Sequence, residues 1–379
     1  MIIKVNDANK SKIFSYCAVA IVAVLTFFAC YRIDELKMWL SSTMSLLFPF
    51  IFGFAVAFLL NKPMVLFESW FLKLNMKKKT AHNFAAILAI VTGIFFVGCF
   101  FYLLIPQIGA SIANLVQQSP EYIQRFSHFL EKFIAQNNID LTMLYDLYGY
   151  DIQNNIITYL TTFFTSSLPQ MLTLTGRAAG MLFNVLLGIM AGLYMMLEKE
   201  KFTLGTKRFT YAFFSEKSAN YLVRFSKISA DVFNNFIIGK AIDSIIIGIL
   251  CYILMSLFNM PYALLLSVIV GITNMIPVFG PFIGAVPGIF ILTIIHPMQG
   301  VYFALLILAL QQFDGNILGP IILGDKLGLP SLAILFSVVV GGGLFGIIGM
   351  FIGVPIFAVI YIAVKEVVDD RLAKKNLEL

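Results

Sequence analysis

Charge is what this chain has least of. Asp, Glu, Lys and Arg together make up 12% of its 379 residues, while 60% are hydrophobic and the mean hydropathy is +0.90. A soluble domain carries about a quarter charged residues, so that scarcity excludes an ordinary globular protein. Cysteine is nearly as scarce. Cys17, Cys30, Cys99 and Cys251 all fall in apolar stretches with no metal-ligand or redox spacing, which excludes a zinc ribbon or a dithiol redox centre. Only 3 histidines are present, and no His/Glu zinc motif, Gly-x-Ser-x-Gly elbow or phosphate-binding loop occurs. These absences point away from an enzyme and from a nucleotide-driven pump, and no cofactor is expected. The net charge of +6 does not read as nucleic-acid binding, because the basic residues lie between apolar segments, where they set membrane topology.

What is present is a series of long apolar runs. A bilayer core of about 30 Å needs roughly 20 apolar residues per crossing. Clear candidates are 13–31, 39–60, 84–105, 171–197, 236–258 and 301–320. The first follows Lys4, Lys10 and Lys12 and reaches Arg32 without a small-residue cleavage site, so it reads as an uncleaved signal anchor. The fold class is therefore all-α, a polytopic membrane protein of about eight segments.

Two further stretches, 262–296 and 331–364, are broken midway and echo each other. Ser267 to Gly271 leads into Pro277, Gly280 and Pro281, followed by Phe282, Gly284 and Pro287. Ser337 to Gly341 leads into Gly342, Gly343, Gly346 and Gly349, followed by Phe351, Gly353 and Pro355. As one straight helix each would run about 50 Å, too long for one crossing and too short for two. A kinked span or a hairpin that turns back is expected. Paired broken helices mark the substrate site in many transporters, and irregular backbone at membrane depth is tolerated only inside protein or beside a cavity.

Basic loops set the orientation. Segment 61–80 holds Lys62, Lys73, Lys77, Lys78 and Lys79 against Glu68 alone, and 198–231 holds seven basic residues against four acids. Both read as cytoplasmic, with both termini inside, whereas 106–170 is acid-rich and reads as outside. The segments so defined are 1–105, spans one to three; 106–170, an outer layer of amphipathic helices with breaks at Pro120 and Asn137-Asn138; 171–235, a fourth span and a cytoplasmic amphipathic segment; 236–365, a transport core; and 366–379, a cytoplasmic tail. Phe209, Phe213, Tyr221, Phe225 and Ile228, interleaved with bases, suit the inner membrane surface.

Ionisable groups inside the apolar runs are costly and therefore informative. Asp314, among Gln311, Gln312 and Asn316, is the strongest case for contact with an ion or polar solute; the bland alternative is a polar cluster that ties helices together. Gly315 is expected to loosen that helix and Gly319-Pro320 to end it. Lys240 and Asp243 share one face of the 236–258 span, either as an intramembrane ion pair or with Lys240 reaching to the lipid head groups. Asn274 precedes the first break, where Pro277 leaves a helical carbonyl without its partner. His82 and His128 read as ordinary boundary residues.

These residues resemble the autoinducer-2 exporter family of bacterial membrane proteins. The likeness is carried by Asn61-Lys62-Pro63, Ile105-Pro106, Tyr194 to Leu197, Phe236 to Lys240, Asn274 to Pro281, Gln311-Gln312 with Asn316 and Pro320, and Gly346 with Gly349 ahead of Val354-Pro355. The resemblance implies about eight membrane segments, an outer layer after the third and a homo-oligomer. It also implies export of a small polar solute such as autoinducer-2, or sodium(lithium)/proton antiport, with Na+ or H+ as coupling ion. One branch is associated with sporulation membranes, so a non-transporting scaffold is the competing class. Asp314 stands where the family more often has Glu, and Leu329-Pro330 where His-Pro is common, so no imidazole-based mechanism is expected there.

Overall fold

A computed structural model describes residues 32–137, 178–322 and 328–375, with residues 158, 159, 161–163 and 166 between them. The span expected at 13–31 and most of the outer layer beyond 137 lie outside the described residues. Every regular element described is helical: α1 (Ile33–Lys73), α2 (Lys78–Gln136), α3 (Ala178–Leu197), α4 (Lys199–Phe213), α5 (Glu216–Leu257), α6 (Ala263–Thr273), α7 (Gly280–Ile295), α8 (Pro297–Phe313), α9 (Gly319–Ile322) and α10 (Ser331–Ala373), with a π-helical turn, Asp314–Leu318, joining α8 to α9. Among the described residues, five helices are long and apolar enough to cross a membrane. With large apolar side chains exposed along them, the chain is a polytopic membrane protein.

Several elements run further than their sequence signals indicate. At 59 residues, α2 is a single helix that carries the span expected at 84–105 through Pro106 and Pro120 into the segment 106–170. Pro120 is thus no break. Its missing N–H frees the carbonyl of Val116, and the Ser119 hydroxyl donates to that carbonyl at 2.7 Å. The helix does stop at Asn137, whose N–H closes on Phe133 O. Likewise α5 runs 42 residues without interruption across position 235, joining the basic amphipathic segment to the span.

Two bodies of packing share this frame. The first is α1 against α2 and α3, with Met64, Ala85, Ala86, Ala89, Ile90 and Met196 buried between them. Small residues allow close approach: a Cβ on Gly53 would meet the Gly188 carbonyl oxygen at 2.6 Å. The second body is α5 to α8 with the C-terminal half of α2, whose Ile112, Leu115 and Tyr122 pack among Ile247, Leu266, Leu292 and Phe303.

The two broken stretches are both hairpins. In the first, α6 and α7 lie side by side, and a Cβ on Gly280 would meet Thr273 O at 2.0 Å. Val278 at its tip holds φ 68°, a left-handed conformation that is strained for a β-branched residue. In the second, α10 folds back at Phe345 and Gly346, where Gly346 adopts φ 62°, ψ −145°, a region open in practice only to glycine. Its arms touch through glycine. A Cβ on Gly341 would meet Gly349 O at 2.2 Å, and one on Gly353 would meet Ser337 O at 2.6 Å.

The hairpins approach from opposite ends of α5. The open end of α6–α7 lies where Tyr262 meets Tyr122 at 3.2 Å, beyond the C-terminal end of α5. The open end of α10 lies where Glu366 pairs with Arg224, in the first half of α5. The tip of the first hairpin, Ile276 and Phe279, packs with Phe236 against Val338, Met350, Phe351 and Val354 of the second.

Candidate functional site

Charged and polar groups converge beside this meeting point. On α5, Lys240 and Asp243 are three residues apart and so share a face. Nζ of Lys240 donates to Asp243 Oδ2 at 2.6 Å. Asn274, held at the C-terminal end of α6 just before the first hairpin turns, donates through Nδ2 to the same oxygen at 3.2 Å. Asp314 opens the π-helical turn, and its carboxyl faces Asp243, Asn274 and Lys240. Three elements distant in sequence therefore supply one cluster.

The local reasons are legible. The π turn closes by a bond from Gly319 N–H to Asp314 O, an expanded turn that occurs often at functional positions. Gly315 beside it meets no neighbour. Gly248 and Gly271 let α5 and α6 approach closely, since a Cβ on Gly271 would meet Gly248 Cα at 3.1 Å; that contact draws Asn274 onto Asp243. Apolar clusters flank the site on both sides along α5, with Phe236, Ile276 and Val338 on one and Ile247, Leu266 and Leu310 on the other.

The result is a buried cluster. Asp243 is 0% exposed, Asn274 1%, Lys240 8% and Asp314 9%. The two carboxylates and one ammonium carry a formal charge of −1 when all are ionised. One added monovalent cation brings that formal charge to zero. Asp243 Oδ1 is buried without a hydrogen-bond partner, as are Ser244 Oγ and Gln311 Nε2.

The sequence-derived quartet around Asp314 is divided. Asp314 turns inward, while Gln312 and Asn316 lie on the exposed face and bond each other at 3.1 Å. Gln311 is half-buried three residues before Asp314. Lys240 does not reach outward: it is buried on Asp243. Among the residues picked as helix breaks, Pro277, Gly280 and Pro281 lie at the first tip. Gly284 and Pro287 lie inside α7, where Gly284 abuts Val270 and Thr273. Gly341 packs in the seam of the second hairpin, and Gly342 faces Met350. Gly343 has nothing within 4 Å, and Pro355 lies buried in the second arm. The turn itself falls on Gly346. His82, expected as an ordinary boundary residue, instead forms a second polar node: it meets Glu68 Oε2 at 3.3 Å and Met196 O at 3.2 Å, linking α2 to α1 and α3. Its signal in sequence was faint, a lone acid and a lone imidazole on separate helices.

A polytopic helical fold, two opposed broken-helix hairpins and a buried charged cluster at their meeting point define a membrane transporter. The chain matches the AI-2E family transporter description over residues 16–369 and belongs to that family. It is 28% identical to YueF of Bacillus subtilis over 259 residues, 67% of this chain and 68% of YueF. To YrrI of the same organism it is 38% identical over 130 residues, 34% of this chain and 37% of YrrI. With the AI-2 transport protein TqsA of Escherichia coli K12 the identity is 27% over 273 residues, 70% of this chain and 73% of TqsA.

Proposed function

We propose that the chain is a gradient-driven secondary transporter in which Asp243 and Asp314 take up a monovalent cation, H+ or Na+, on one side of the membrane and release it on the other. The observation that supports this most is the buried pair of carboxylates sharing one lysine. A transporter needs a group whose charge is expensive to leave uncompensated in the membrane core, and this pair is such a group. In this reading the hairpins α6–α7 and α10 are re-entrant, one from each side, and relative movement at their apolar contact opens the cluster alternately.

Two cargoes fit that unit. One is the cation itself, exchanged as in sodium(lithium)/proton antiport. The other is a small polar solute such as autoinducer-2, exported at the expense of the cation gradient; the AI-2 transport protein TqsA, similar over most of its length, favours this second reading. The chain resides in the cytoplasmic membrane with both termini inside and works as a homo-oligomer. The test uses proteoliposomes with an imposed pH gradient and an internal pH dye. Sodium dissipating the gradient supports antiport. Loss of entrapped autoinducer-2, driven by the gradient, supports coupled export. No response to either, with function in cells lost when 121–165 is altered, would support the scaffold instead.

A further inference from the structure

Lys240 is the part of the cluster that simple cation binding does not require. Two carboxylates alone would bind cations, and more strongly. The lysine is nevertheless buried with them and holds Asp243 Oδ2 at 2.6 Å, while the Asn274 amide donates to that same oxygen. One oxygen of Asp243 is thus occupied by fixed donors. Its other oxygen, Oδ1, is buried without a partner in hydrogen-bonding geometry, and the Asp314 carboxyl faces the same residue. The charged groups acting on Asp314 are Asp243 and Lys240, from α5; no charged group acts on it from α6, from the hairpin α10 or from its own turn among the described residues.

We propose that Lys240 is a resident counter-ion that stays charged throughout the cycle and limits the load on Asp243 and Asp314 to a single monovalent cation. The inference rests on the coupled-transport reading and adds to it a determinant of stoichiometry. Moving net charge through a low-dielectric core is costly, so the site passes between its two openings most readily when neutral. With both carboxylates ionised and Lys240 in place, one added cation brings the cluster to neutrality. Without the lysine, neutrality takes two. An arginine would serve as well in charge; a glutamine would not.

The experiment counts bound cations on purified protein in lipid nanodiscs, by radioactive sodium at alkaline pH and by proton uptake at low sodium, subtracting the count for the Asp243→Asn/Asp314→Asn variant. The unaltered protein and Lys240→Arg are expected to share one load, and Lys240→Gln to bind one cation more. In the Asp314→Asn background the lysine already balances the remaining carboxylate, so binding is lost. Adding Lys240→Gln there should restore it. That rescue is the critical comparison, because a merely structural lysine would not produce it and because the double variant keeps the net charge of the unaltered site. Equal counts for Asp314→Asn with and without Lys240→Gln would overturn the proposal, as would an unchanged load in Lys240→Gln alone. Absence of cation uptake by the unaltered protein would instead overturn the coupled-transport reading, and this one with it. A restored count in a protein that drives no flux in proteoliposomes would overturn that reading alone.

Discussion

Among single residues, the consequential ones are those whose chemistry contradicts their surroundings. Asp243 and Asp314 are carboxylates in an apolar frame, and Val278 is a β-branched residue at φ 68° at the tip of the first hairpin. Strain of that kind costs about 1–3 kcal/mol and persists where the surroundings hold it in place. Val278→Gly is therefore expected to raise the midpoint of thermal unfolding in detergent, and an unchanged or lowered midpoint would show that Val278 is held at no cost. His82 bridges three helices through Glu68 and the Met196 carbonyl. His82→Leu should destabilise the packing of α1 to α3 by about 1–3 kcal/mol, the cost of leaving buried partners unsatisfied, as read by the same unfolding midpoint. Asp314 and Lys240 stood out in the sequence because charge is so rare there. Their joint site did not, because Lys240, Asn274 and Asp314 come from three elements and only folding brings them together.

For the helical elements, small residues decide which surfaces meet. The Gly341–Gly349 and Ser337–Gly353 contacts close α10 on itself backbone to backbone, so no rotamer change can make room for a side chain. Gly349→Leu should cost at least about 1–3 kcal/mol by overpacking and lower the unfolding midpoint. Gly98→Ala meets nothing within 4 Å and should leave stability unchanged or raise it by about 0.5–1 kcal/mol. The two sequence echoes part company here. Ser267 and Ser337 make the same bond back to the carbonyl three residues earlier, at 3.0 and 2.7 Å. Gly271, however, packs against α5, whereas Gly341 packs within its own hairpin. Equal residues in equal spacing thus serve different neighbours. Prolines were the least reliable signal. Pro120 read as a break, yet it sits inside α2 because the Ser119 hydroxyl takes up the carbonyl that proline leaves free. A one-residue neighbour effect of this sort is visible only once side-chain geometry is known.

At the scale of the molecule, the described helices form two groups joined along α2 and α5, with the basic residues around Lys78 and Lys199 gathered at one end. Lys78 meets Glu200 at 3.2 Å and Lys199 meets Asn61 at 2.6 Å, so the segments 61–80 and 198–231 lie on the same side, as their shared basic character led one to expect. Single cysteines at Asn75 and Ser215, in a background lacking the native cysteines, are expected to react with an impermeant thiol reagent only after the inner face is opened, and one at Asn259 from outside; the reverse pattern would invert the topology. Membrane class and the all-helical fold were legible in composition and apolar runs, because lipid as solvent imposes them directly. The break in each of the stretches 262–296 and 331–364 was legible in their glycines and prolines, while the extension of α2 through 106–136 was not, since amphipathic spacing alone does not mark where one helix ends. The central claim is that Asp314, through its carboxylate, couples a cation to transport. Cation-driven flux in proteoliposomes, compared among the unaltered protein, Asp314→Glu and Asp314→Asn, tests it most directly. The account predicts flux retained in Asp314→Glu and lost in Asp314→Asn, where Lys240 already balances the one remaining carboxylate; equal flux from Asp314→Asn and the unaltered protein would contradict it.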